Sequence, residues 1–137
     1  MPSRLKGTIL VVDDEESLRT LLQAALGASG AEVLCAADAG EAVELLQRRR
    51  EDVRAVLLDL NLKDLPGERL YDRLAALSPD LAVFPMSGCC EEEVRERLGG
   101  RPIAGVVSKP FAISQLVEAL ASPLEAARLD SASGQRV

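Results

Sequence analysis

The sequence predicts an α/β domain in which a parallel sheet of five strands carries helices on both faces. Three observations lead there. Short apolar runs recur at regular spacing, segments with helical periodicity fall between them, and three of the runs lack polar alternation, as strands buried on both faces do. At 137 residues the chain has room for one substantial core.

The elements follow in order. TILVV (8–12) is the first strand. Leu18, Leu21, Leu22, Ala25 and Leu26 then fall on one helical face, predicting an amphipathic helix over 15–28 that ends near Gly27 to Gly30. EVLCA (32–36) is the second strand, and Ala42, Val43, Leu45 and Leu46 mark the second helix. RAVLL (54–58) is the third strand, and Leu70, Leu74 and Leu77 mark the third helix. LAVF (81–84) is the fourth strand, followed by a short, weakly apolar helix near 91–98 with Glu91–Arg95 and Glu93–Arg97 pairs at helical spacing. AGVV (104–107) is the fifth strand, and Ile113, Leu116, Val117 and Leu120 mark the last helix. Pro85 would remove a ladder donor from an interior strand and suggests a bulge just before Ser87. After Pro123 the pattern decays into a frayed tail.

Composition excludes several functions. A net charge of −6, no Trp, and only Tyr71, Phe84 and Phe111 as aromatics argue against a nucleic-acid surface, which needs basic and stacking groups. No apolar run approaches a membrane span and no signal peptide is evident, so the expected location is the cytoplasm. Cys35, Cys89 and Cys90 make neither a disulfide framework nor a zinc spacing. The absence of histidine removes any Ser-His or Cys-His nucleophile. Chemistry is left to carboxylate, hydroxyl and amine.

In open α/β sheets ligands bind beyond the carboxyl ends of the strands. There the chain places Asp13 and Asp14 after the first strand, Asp59 after the third, Ser87 and Gly88 after the fourth, and Ser108, Lys109 and Pro110 after the fifth. One Asp at a strand end is ordinarily a turn residue. Three carboxylates, a hydroxyl and an ammonium on one edge are a site. Two carboxylates ~4 Å apart repel by ~4 kcal/mol at a surface-like dielectric. The stretch ILVVDDEE is therefore tolerable if cations sit beside it, and an all-oxygen cluster without thiolate or imidazole suits Mg²⁺. The plainer alternative is that Asp13 to Glu16 simply begin a helix.

ILVVDDE, VLLDLNL followed by Gly67, MSG and SKPF, in this order and spacing, resemble the receiver domain of two-component response regulators over residues 7–121. The resemblance implies a flavodoxin-like, doubly wound five-stranded parallel sheet of order 2-1-3-4-5 with five helices. The receiver would occupy 7–122, between an N-terminal extension (1–6) and the tail (123–137). It implies Asp59 as phosphoacceptor, Asp14 as a direct Mg²⁺ ligand, the Asn61 backbone carbonyl as another, Asp13 acting through water, and Ser87 and Lys109 on phosphoryl oxygens. Backbone N–H groups around Leu60 and Gly88 would donate to the remaining oxygens.

The donor would be a histidine kinase or a histidine phosphotransfer protein, and the output an unidentified partner protein, with neither nucleic acid nor membrane bound. Such a protein is not an enzyme beyond its own phosphorylation and dephosphorylation. AGVVSKPF is similar to receivers at the end of hybrid sensor kinases, so both a stand-alone protein and a hybrid-kinase segment are expected forms. Cys89 would flank the water's approach. The chain departs from the family pattern at Lys63, where Pro is usual, and at Val106, where an aromatic switch residue is usual. A phosphorylation-independent binding module is the alternative. A phosphatase with an aspartyl-phosphate intermediate is disfavoured because Asn61 stands where that chemistry needs an acid.

Overall fold

The computed structural model describes residues 5–121. Strands β1 (Thr8–Val12), β2 (Glu32–Ala36), β3 (Val53–Asp59), β4 (Ala82–Ser87) and β5 (Val107–Ser108) alternate with α1 (Glu16–Ala28), α2 (Ala39–Arg48), α3 (Gly67–Leu77) and α4 (Glu91–Leu98). A fifth helix, α5, runs over 113–121 within the described residues. The expected tail, 123–137, lies outside them. Every strand pairing is parallel, in the order β2-β1-β3-β4-β5, which is the implied topology.

Side chains alternate across a strand, and this splits the core into two layers. Leu10, Val12, Val56 and Leu58 face α2, α3 and α4, where Leu46, Leu70, Leu74, Val94 and Leu98 meet them. Ile9, Val11, Leu57, Phe84 and Met86 face the other way, onto Leu22 and Leu26 of α1 and Leu116, Val117 and Leu120 of α5. Apolar side chains are therefore needed at successive strand positions, which is why these runs show no polar alternation. Local signals set the helix ends. Asp38 accepts from the Glu41 N–H at 2.8 Å while Glu41 reaches back to the Ala37 N–H, a reciprocal cap that starts α2. Gly99, at φ +57°, closes α4 in the left-handed conformation.

Two expectations about the sheet edge are corrected. The β3–β4 register runs without interruption from Ala55↔Ala82 to Asp59↔Met86, so no bulge precedes Ser87; the irregularity lies instead between Thr8 and Ile9 on β1. β5 is Val107–Ser108, not 104–107. Pro85 accounts for the short strand. The Val83 carbonyl accepts from Ala104 N–H and the Ser87 carbonyl from Lys109 N–H, both at 2.8 Å, so residues 83, 85 and 87 address the β5 side. The donor that Pro85 lacks is the one a longer β5 would have used, and the ladder holds only Met86↔Val107 and Ser87↔Ser108.

Candidate functional site

Asp13, Asp14, Asp59 and Lys109 meet at the carboxyl edge of the sheet, and the Lys109 N–H ties that edge to the Ser87 carbonyl, whereas Ser108 and Pro110 line a separate hollow beside Phe111 and Leu116. Oxygens of Asp13, Asp14 and Asp59 lie within 4.8 Å of one another. Asp13, only 1% exposed, accepts from two donors: Lys109 Nζ stands 3.1 Å from its Oδ2 and the Glu15 N–H 2.8 Å from its Oδ1. Pairing with Lys109 offsets the cost of burying that charge. Arg19 of α1 donates to the Asp13 main-chain carbonyl at 2.8 Å, fixing the end of β1. Asp14 is exposed and takes no side-chain hydrogen bond among the described residues. Helix α1 begins only at Glu16, with no side-chain cap, so the plainer reading of the acidic run as a helix start accounts for only part of it.

Asp59 is 5% exposed. Its Oδ1 accepts from the Asn61 N–H at 2.9 Å, while Oδ2 accepts no hydrogen bond among the described residues. Burial pushes its carboxyl above the ordinary range, with the charges of Asp13 and Asp14 adding to the effect and the Asn61 N–H and Lys109 opposing it. Ser87 is equally buried, and its Oγ accepts from the Cys89 N–H at 3.0 Å. Lys109 precedes Pro110 through a cis peptide bond. The Leu60 N–H is committed to the Met86 carbonyl at 3.3 Å, which corrects the expectation that it serves a bound oxyanion. Cys89 and Cys90 are exposed free thiols. Val106 is half-buried against the α2–α4 side of the core and borders a hollow of about 260 Å³ with Phe111 and Leu116.

Sequence reasoning missed the supports of the segment after Asp59. Arg97 of α4 donates from Nη2 to the Leu60 carbonyl at 2.7 Å and from Nη1 to Asn61 Oδ1 at 3.1 Å. Its Nη2 also lies 3.0 Å from Glu68 Oε1, and this contact holds the Glu68 carboxyl below the ordinary range. Asp64 accepts from the Ala39 N–H with both oxygens, at 3.0 and 3.2 Å. Of the two expected helical pairs, Glu91–Arg95 forms at 2.8 Å, whereas Arg97 turns away from Glu93 to these longer-range partners. Gly67 has a steric reason: a Cβ there would stand 2.7 Å from Leu60 Cα, so only glycine lets α3 start this close to the segment after Asp59.

The family model described as the response regulator receiver domain matches residues 9–121. The chain belongs to this family. The receiver is 34% identical over 112 residues to the probable transcriptional regulatory protein TcrX of Mycobacterium tuberculosis, covering 80% of this chain and 46% of that protein. It is 30% identical over 118 residues to the sensor kinase CckA of Brucella abortus, covering 86% of this chain and 12% of that one. The crystal structure of NtrX from Brucella abortus superposes with a TM-score of 0.83 at 30% identity, over 95% of this chain and 30% of that chain. The receiver thus spans about half the length of TcrX and far less of CckA. No helix among the described residues is long and apolar enough to cross a membrane.

The receiver's three carboxylates fit a hard divalent cation. Their donors are oxygen only, they converge within one ion's reach, and no thiol or imidazole competes. Both Asp13 oxygens already accept a hydrogen bond while Asp14 is open, which suits an indirect role for the first and a direct one for the second.

Proposed function

We propose that this receiver is a phosphorylation switch of a two-component or phosphorelay system that takes a phosphoryl group from a phosphohistidine onto Asp59. The observation that carries this reading is the asymmetric state of Asp59: a buried carboxylate with one oxygen fixed by the Asn61 N–H and the other unbonded, beside two further carboxylates and an ammonium. Phosphoryl transfer asks a protein mainly for in-line positioning and charge neutralisation. The free oxygen of Asp59 attacks phosphorus, a P–O bond forms as the donor's P–N bond breaks, and the leaving imidazole takes a proton from solvent. Lys109, already beside the carboxylates, neutralises a phosphoryl oxygen. Ser87 Oγ donates to another, with backbone N–H at Gly88 available beside it. Asp14, Asp59 and the Asn61 backbone carbonyl would hold a Mg²⁺ ion, with Asp13 acting through water, and the ion would supply further charge neutralisation when bound.

The donor is a histidine kinase or histidine phosphotransfer protein, the output passes to a partner protein, and the receiver unit spans 7–122 in the cytoplasm. The protein turns over no second substrate. Neither Asn61 nor Cys89 carries a base that could activate water, so dephosphorylation runs at the intrinsic rate of the site, with Cys89 as a partial lid. Lifetimes equal in wild type, Cys89→Ala and Cys89→Glu would remove that role. At Val106 a stiff β-branched side chain replaces a long aromatic lever, reducing the coupling of Ser87 to the face formed by α4, β5 and α5.

The test is intact-mass analysis after incubation with a small-molecule phosphodonor and Mg²⁺. A single phosphoryl adduct is expected on the wild type and none on Asp59→Ala or in excess chelator. Undiminished labelling of Asp59→Ala would overturn the assignment.

A further inference from the structure

We propose that Arg97 is the positioning residue of the acceptor segment, and that through it α4 answers directly to ligation at Asp59. One guanidinium joins three pieces of chain: the Leu60 carbonyl at 2.7 Å, the Asn61 side-chain oxygen at 3.1 Å and Glu68 in the first turn of α3 at 3.0 Å. Leu60 and Asn61 directly follow the phosphoacceptor, and the inference rests on the proposed reading in which the Asn61 backbone carbonyl is a metal ligand. The guanidinium is planar and presents its donors in a fixed fork. A shift of the Leu60–Asn61 peptide is therefore passed to Arg97 and not absorbed by independent adjustment of two bonds.

The helix end of the tether is equally firm. Val94 and Leu98, on either side of Arg97 in α4, are each 1% exposed. Just beyond, Arg101 makes a two-pronged pair with Asp72 of α3 at 2.8 and 3.0 Å and donates to the Leu98 carbonyl at 2.8 Å. Its guanidinium also lies 6.0 Å from the centre of the Tyr71 ring, whose hydroxyl donates to the Pro102 carbonyl. By contrast, Glu91, Glu92 and Glu93 at the start of α4 are exposed and are tied only by Glu91–Arg95 among the described residues. A cleft of about 450 Å³ lined by Leu60, Ser87, Cys89, Val94 and Arg97 separates this free end from the acceptor segment. Helix α4 is thus anchored at its C-terminal end and, among the described residues, hydrogen-bonded to the segment after Asp59 through the Arg97 side chain, a connection that does not pass through Val106.

Amide NMR of the full chain, titrated with Mg²⁺, tests this with a readout independent of phosphorylation. In the wild type, Mg²⁺ is expected to shift amides at Asp14 and Asn61 and along 94–98. In Arg97→Met the Asp14 shift should persist with affinity about tenfold weaker, the scale of losing an outer-shell partner of a metal site, while the 94–98 shifts disappear. Arg97→Lys keeps the charge without the fork and should fall between; it carries the same comparison if Arg97→Met does not fold. Unchanged affinity with 94–98 still responding in the substituted protein would overturn the proposal. So would loss of the 94–98 response in Glu68→Gln as complete as in Arg97→Met, because the signal would then run through the α3 ion pair alone. Absence of Mg²⁺ binding by the wild type would defeat the proposed function instead. Arg97 would then be judged on hydrogen exchange at the Asn61 amide in the metal-free protein, which should quicken severalfold in Arg97→Met; equal rates would overturn the positioning role.

Discussion

The segment after β3 and the segment after β4 leave the sheet at the same edge and meet at the same site, but they are held very differently. Residues 60–66 are tied back to Asp59 through Asn61 N–H, to α4 through Arg97, and to α2 through Asp64, with Leu62 buried and Gly67 pressed against Leu60. Residues 88–90 are all exposed, and their link to the sheet edge is the Cys89 N–H on Ser87 Oγ. A Cβ on Gly88 would meet nothing within 4 Å. The difference assigns the two segments separate tasks. The first holds Asp59 and its neighbouring carbonyl in place before any ligand arrives, which is where preorganisation acts. The second has few contacts to lose and so is the part of the site that moves at low cost.

Filling the close approach should break the comparison most strongly. Gly67→Ala puts a methyl 2.7 Å from backbone and side-chain atoms of Leu60, and an overpacked contact of this kind costs about 1–3 kcal/mol. A clear fall in melting temperature is expected, and wild-type stability would show that the tethered segment yields easily. The next effect is electrostatic. Burial raises the Asp59 carboxyl, so the native state keeps that proton to higher pH than the unfolded chain does. Stability associated with the protonated form is present at low pH and is lost as pH rises through the raised value. Metal-free Asp59→Asn should accordingly be more stable than wild type at about pH 7, with most of the advantage gone by about pH 3.5, below the ordinary aspartate value of about 3.9; urea denaturation at both pH values checks it. Asp14→Asn should show the same sign, more weakly, because Asp14 is exposed.

Asp64→Ala removes the acceptor from the Ala39 N–H and should cost about 1 kcal/mol, as loss of a helix-end acceptor does, readable as a lowered urea midpoint. Smallest of all, Gly88→Ala should stay within about 0.5 kcal/mol of wild type. A loss as large as that of Gly67→Ala would mean that the two segments are equally constrained and the contrast does not hold.

Much of this arrangement was legible in the sequence, and the gaps have physical causes. β1 and β2 begin and end where their apolar runs do, because each pairs in continuous register with the other and neither run carries a residue that breaks the ladder. Asp13, Asp14, Asp59, Ser87 and Lys109 were legible because topology alone carries every strand end to one edge. β4 runs on through Pro85 to Ser87 since the side that lacks the donor has no partner to disappoint there. That same fact shortens β5, and no local feature of AGVVS announces it. Arg97 was unreadable for a different reason. Its spacing from Glu93 offers a helical pair worth only a few tenths of a kcal/mol, and a carbonyl and a carboxylate from distant segments outcompete it once α3 and α4 are packed together.

The bond between Lys109 and Asp13 spans 96 positions, joining the end of β1 to the end of β5 at the far edge of the sheet, with β3 and β4 between them. Closing so long a loop is opposed by chain entropy until β3 and β4 have filled the space between. With two ladder pairings to hold it, β5 has little to draw it in early. A chain that is still folding therefore presents its acidic cluster without the ammonium, and the complete constellation exists only on molecules whose sheet has closed to its last strand.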